Sequence, residues 1–578
     1  MRYVIVAAVA ALVAVGCGKH ADSPAAGASA PAAAHDGATA PTHAADHSGP
    51  PQTMAEWARG AKFFDRLGTF HRAITTSSPE AQRYFDQGMR LLWAFNHDEA
   101  TRSFAKAAAL DPSCAMCYWG VALTVGPNYN LPVMAEPRAK VAWEALHQAQ
   151  QHAPAASAVE QDLIGALGHR YRGPQPLDPS NSGPVLTDFA NAMRAVAKSH
   201  PRDLDIQVLF AESLMNTNPW RLWTADGQQA PGTAEIETTL ERVLAADPNH
   251  PGANHYYVHT MEASPHPERA LAAAERLDGM MPDAGHLQHM PAHILQRVGR
   301  YEDAAQANRV GVVADVAYLN ATPPLDYYAM YLAHNYQFLA YSAAMEGRRA
   351  EALDATKKMR DALPVEMLLM APGTDWFVSE VYSAMIRFGE WNAILAEPAP
   401  DARLKALTGA YRYARVLALA RTGKVDEAKT ELGRLQSLAA DLPADAAAGF
   451  NSAKDVLAVA TYVAQGEIAR AGGRMEDAVG QLRAAAAKED QLGYDEPADW
   501  FLPVRHQLGA ALLGAGQPRE AEAAYREDLV QHPHNGWALF GLAQALRAQH
   551  KEAAAAAVDR EFATAWTKAD VKLTGSTF

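Results

Sequence analysis

Four histidines of this chain stand at spacings that suit a metal ion. His255 and His259 are four residues apart, and so are His289 and His293. Residues four apart share one face of an α-helix, so each pair can turn two imidazoles toward one point. The second pair follows the first by 34 residues, so two successive units of the chain carry histidine at equivalent places. Neutral imidazole suits zinc, copper, iron and nickel. Two such pairs on adjacent helices offer four nitrogens to one or two ions. No Glu follows His255 or His289, so the pattern is not the His-Glu-x-x-His of zinc peptidases. Met280, Met281 and Met290 lie close by in sequence and, if they point the same way, tilt the choice toward copper; at helical spacing they read equally as core.

The elements that must position these rings are helices in a repeat. From Tyr84 the chain gives Gly88, Ala100, Phe104, Ala107 and Pro112, and Tyr118 opens the next unit 34 residues after Tyr84. Near the other end Leu508-Gly509, Ala521, Tyr525 and Pro533 return, continued by Leu542 and Ala555. Between them Gly-x-x-x-(Glu/Asp)-Ala recurs, as in GKVDEA and GRMEDA, a turn followed by the small residue where two helices cross. This spacing resembles the tetratricopeptide repeat over roughly residues 80–570. The resemblance implies an all-α fold, a superhelix of stacked helix pairs whose first helices line a concave groove. GANHYYVH, HMPAHI and YDEPADW are also similar to a set of bacterial tetratricopeptide lipoproteins with no established activity.

Registering the repeats on the small crossing residues Ala211, Val258, Ala292 and Ala340 gives a groove face, as the resemblance implies. It collects Glu212, then His255, His259 and Glu262, then His286, His289, His293 and Gln296, then His334, Gln337 and Tyr341. That gathers six of the chain's 22 histidines on four consecutive units. Glu212 or Glu262 is then a carboxylate ligand or a general base acting on metal-bound water. Three readings stand: a metal site for zinc or copper, a histidine-lined site for an organic or anionic ligand, and a structural network between tightly stacked helices.

Insertions interrupt the repeat near 126–137, 172–184, 216–232 and 320–326, and long loops in a solenoid often carry function. Trp220 and Trp223 lie in one of them and read either as a lid on the groove or as packing. The run from Tyr494 to Trp500 pairs carboxylates with aromatics, reading as a groove cap, an acid–base pair or an acidic helix start.

Composition bounds the rest. The chain of 578 residues is 49% apolar and 20% charged, and its net charge of −14 argues against nucleic acid as a partner. No Walker A loop, dinucleotide glycine pattern or Gly-x-Ser-x-Gly elbow is present. Residues 1–16 form a signal peptide, with Arg2 ahead of an apolar run too short to span a bilayer. Ala14-Val15-Gly16-Cys17 resembles the lipobox of bacterial lipoproteins, which implies cleavage before Cys17 and lipid on its sulfur. Gly18 in place of Asp then favours the outer membrane, facing the periplasm. Residues 17–55 are Ala-, Pro-, Gly- and Ser-rich, a disordered tether, and 56–578 form the solenoid. Cys114 and Cys117 are a possible local disulfide in an oxidising compartment. Three functions remain in view: a scaffold binding a protein or peptide, a metal-binding envelope protein, and a metal-dependent enzyme.

Overall fold

The computed structural model describes residues 51–322, 328–371 and 373–578. Cys17, the signal peptide, nearly all of the tether, and residues 323–326 of the fourth insertion lie outside the described residues. The described chain is almost wholly helical; one two-residue hairpin, Ala447–Ala448 with Asn451–Ser452, is its only sheet. Most helices pack on the next in sequence, and many also touch the one after that, the order of an α-solenoid of stacked hairpins. The all-α expectation holds.

The repeat residues explain the stacking. The ring of Phe104 lies against Gly88 and Gly120, where an added Cβ would come within 2.6 and 2.4 Å of it. Tyr525 is held in the same way by Gly509 and Gly541, where the gaps would be 2.3 and 2.2 Å. Only glycine lets three helices close on one aromatic ring at these two places. Gly423 and Gly473, at φ +80° and +73°, take the left-handed turn that ends one helix before the next begins. Ala428 and Ala478, the small residues that follow, are fully buried at the crossings.

The solenoid has two large apolar cores. One runs from Trp57 to Ile294 and the other from Tyr301 to Val558. The paired histidines lie where they meet. Three distant parts of the chain converge there: the end of the helix Pro79–Trp93, the helices from Pro251 to Met345, and the loop around Glu496. Cys114 and Cys117 are joined as a disulfide at the start of the helix Ala115–Thr124, in a small buried cluster with Ala81, Tyr84, Ala107 and Ala108.

Candidate metal centre

The helix Pro251–Met261 carries the first pair. Its start is fixed by His250, whose ring Nδ1 accepts the backbone N–H of Ala253 while Nε2 meets Asp205 at 3.1 Å. Pro251 sits in the first turn, where its missing N–H costs nothing. Gly252 lets the indole of Trp93 lie against the helix; a Cβ there would come within 2.5 Å of it. That approach brings the Trp93 carbonyl to 2.6 Å from His255 Nδ1.

The second pair spans a break. Gly285–His289 and Pro291–Arg297 are separate helices because Pro291 offers no N–H to the preceding turn. The backbone tightens there, with the His293 N–H reaching Met290 O. The rings of His289 and His293 still face each other, 4.7 Å between centroids and 2.8 Å between their Nε2 atoms. His334 arrives from the helix Tyr328–Met345, its ring 4.9 Å from that of His289.

The six rings form two trios. His255, His259 and His286 bring one nitrogen each within 4.8 Å of one another, and so do His289, His293 and His334. A third group is Glu262, His293 and Glu496. His255, His289 and His293 have no exposed surface, and His259 and His286 keep only 2%. The groove expected from the repeat is therefore filled at this level. Phe95 stacks over His259 and His286, and Tyr129 and Trp220 close on His259.

The hydrogen bonds fix the tautomers. His255 Nδ1 must donate to the Trp93 carbonyl, which can only accept. His259 Nδ1 hydrogen-bonds Glu262 Oε1 at 3.1 Å and His293 Nδ1 hydrogen-bonds Glu496 Oε2 at 3.3 Å, with Glu262 Oε2 beside it at 2.8 Å as an ion pair, and these too must donate. His289 Nδ1 lies 2.7 Å from Asn308 Oδ1, whose amide is oriented by Nδ2 donating to Ala304 O. His334 Nδ1 lies 3.0 Å from Gln337 Oε1, and that amide is oriented by Nε2 donating to Glu380. In His255, His259, His289 and His334 the proton is thus on Nδ1 and the lone pair on Nε2, and His293 likewise donates from Nδ1. The Nε2 atoms of His255 and His259 are buried without a partner, and both nitrogens of His286 are too.

Electrostatics keep most rings neutral. Burial pushes His255, His286 and His289 well below the ordinary imidazole range, with neighbouring rings adding to the effect, and brings His334 to about 3. His293 is the exception. Burial lowers it, but the carboxylates of Glu262 and Glu496 outweigh that and raise it to about 9. Burial alone would raise Glu262; His259 and His293 hold it down, to about 2.

Several expected residues meet here and others do not. Glu262, His286, His334, Gln337 and Gln296 join the paired histidines. Glu212 stays apart, its carboxylate accepting from Asn216 Nδ2 at 2.7 Å. Tyr341 also lies elsewhere, its ring against Phe501 in the second core. Trp223 proves to be packing, its Nε1 donating to Thr260 O, whereas Trp220 stacks on Tyr129 and Phe450 at the edge of His259.

Three contributors were not assigned to the site from the sequence. Phe95 and Asn308 carry no signal of spacing. Glu496 was visible in the acidic run, but nothing in sequence placed it 3.3 Å from His293 Nδ1. Tyr494 donates to the same Glu496 oxygen, and Arg297 covers the Tyr494 ring.

Comparison with known proteins names no family for this chain. No family model and no curated protein matches the chain. Solved structures that align over most of it include a human IFIT1 dimer with m7Gppp-AAAA, at 11% identity, 85% of this chain, 91% of that chain and a TM-score of 0.30. The Cut9–Hcn1 tetramer of APC/C aligns at 12% identity over 81% of this chain and 76% of that chain, with a TM-score of 0.31. Naa15/Naa10 bound to HypK-THB aligns at 14% identity over 85% and 70%, with a TM-score of 0.22.

Proposed function

We propose that this protein is a helical-repeat binding protein whose histidine chamber takes up a transition metal, zinc or copper. One observation carries the reading: five rings direct their Nδ1 protons to protein acceptors, and the Nε2 lone pairs of His255 and His259, with both nitrogens of His286, are left buried without a donor. Metal-bound histidines are held in this way, the second nitrogen donating to a carboxylate or carbonyl that fixes the ring. A purely structural network would satisfy buried nitrogens with donors, because leaving one unpaired costs about 1–3 kcal/mol.

The pair His289–His293 makes the same point. Two Nε2 lone pairs at 2.8 Å repel unless a cation stands between them. In the metal-free chain His293 supplies that cation as a second proton, held by Glu262 and Glu496. A metal ion would take its place. Glu262 and Glu496 would then orient rings, as outer partners, and offer charge balance.

Stacked helical hairpins support a binding role more broadly, and the lipobox-like Cys17 supports attachment to the bacterial envelope, with a protein or peptide as a further partner. The test is a melting series with zinc and copper on the full chain and on His255→Ala, His289→Ala and the double variant. An ion bound only by the folded chain at one hundred times its Kd stabilises it by about 2.7 kcal/mol. The parent is expected to show such a rise and the double variant none. No shift in the parent with either metal overturns the reading.

A further inference from the structure

Resting on that reading, we propose that the chamber holds two copper ions side by side, one on His255, His259 and His286 and one on His289, His293 and His334. The two trios share no residue, and each gathers three nitrogens within 4.8 Å. They face one another in one chamber: His259 lies 5.8 Å from His293 and His286 lies 5.8 Å from His289, centroid to centroid. Glu262 joins them, one oxygen on a ring of each trio. The carboxylate therefore sets the two trios relative to each other.

The third possible group, Glu262 with His293 and Glu496, is not a third site. Those carboxylates hold His293 by Nδ1, so the nitrogen this ring would offer a metal, in place of its second proton, is Nε2, which faces His289.

Chemistry selects copper. An all-imidazole set excludes magnesium and calcium, which take oxygen ligands. Among divalent first-row ions copper binds a given nitrogen site most tightly. Charge points the same way. Among the described residues, Glu262 and Glu496 are the carboxylates touching these rings. Two carboxylates balance two monovalent ions, and three nitrogens suffice for copper(I). Oxidised to copper(II) by two equivalents of ferricyanide, each taking one electron from one ion, the pair would carry two further positive charges and an open position on each ion. A small anion bridging both ions answers both needs, and azide is the probe.

The experiment loads the full chain with excess copper, removes unbound metal, and measures copper per chain together with the electron paramagnetic resonance of the oxidised form with azide. Two ions per chain are expected, with an integrated signal far below the copper content because bridged copper(II) spins cancel. His286→Leu should drop the content from two ions to one and restore a full mononuclear signal. His334→Ala should do the same from the other trio, so a folding failure in one variant leaves the other to decide. One ion in the parent, with a full signal, overturns the two-ion inference and leaves the metal reading standing. No copper retained overturns the two-copper inference, and only the further absence of a melting shift with zinc overturns the metal reading beneath it.

Discussion

His286 makes an unusual prediction, because replacing it should stabilise the metal-free protein. Its ring is 98% buried by neighbours yet neither nitrogen has a partner, so folding strips water from both and returns nothing. Each such loss costs about 1–3 kcal/mol. Leucine fills a similar volume without a polar atom, so His286→Leu removes both costs. The substitution gives up ring contacts with Tyr331 at 4.5 Å and Phe95 at 5.9 Å, worth about 0.5–1.5 kcal/mol each. The balance is a gain of about 1–3 kcal/mol. A site that destabilises its own scaffold when empty is a common mark of function. The assay is urea denaturation of parent and variant in the presence of chelator. With copper in place of chelator the order should reverse, since only the parent completes its trio. A variant less stable than the parent in chelator would refute the reasoning and return His286 to a packing role.

Other outcomes follow from the same geometry. Metal-free protein should lose stability as pH falls through 6.5, because the unfolded chain protonates His255, His286, His289 and His334 while burial keeps them neutral in the fold. His293, raised to about 9, runs the other way, its contribution full below 6.5 and lost as pH rises through 9. Burial lowers His97, His259 and His506 as well, so among the histidines the losses outnumber the one gain and stability falls from pH 7.5 to 5.5. Urea midpoints at the two pH values check this, and an unchanged midpoint counts against it. Glu262→Gln should weaken metal binding by about 10–100-fold, read by competition titration, because it loosens one ring of each trio. Gly252→Ala should cost about 1–3 kcal/mol by driving Trp93 away from the helix, and should weaken binding through the lost His255 bond. Phe450→Ala should speed metal uptake in stopped flow, since its half-exposed ring stacks on Trp220 over His259. Cys17→Ser should move the protein from the membrane fraction to the soluble one.

Much of this arrangement was legible in the sequence because it is periodic. The i, i+4 histidine pairs and their 34-residue offset report a helix face and a repeat and bring His255, His259, His289 and His293 together; His286 and His334 join through the groove register that the tetratricopeptide resemblance implies. Glycines with a bulky aromatic sixteen residues on, as in Gly88 and Phe104, likewise forecast the stacking. What sequence left unread depends on long-range closure. Glu496 reaches His293 across two hundred residues, and Trp93 reaches His255 from a helix near the start. Neither distance has a period. Glu212 and Tyr341 fit the periodic face and still fall outside the cluster, since a register names a face but not which neighbours fill it. The open groove implied by the repeat is closed here by Phe95, Tyr129 and Trp220, side chains from a turn and two insertions.

Elemental analysis of the full chain, purified without chelator or nickel resin and then equilibrated with copper and zinc and washed, tests the central claim most directly. The account predicts a stoichiometric transition metal that His255→Ala with His289→Ala abolishes. Trace metal only, unchanged by that double variant, would contradict it.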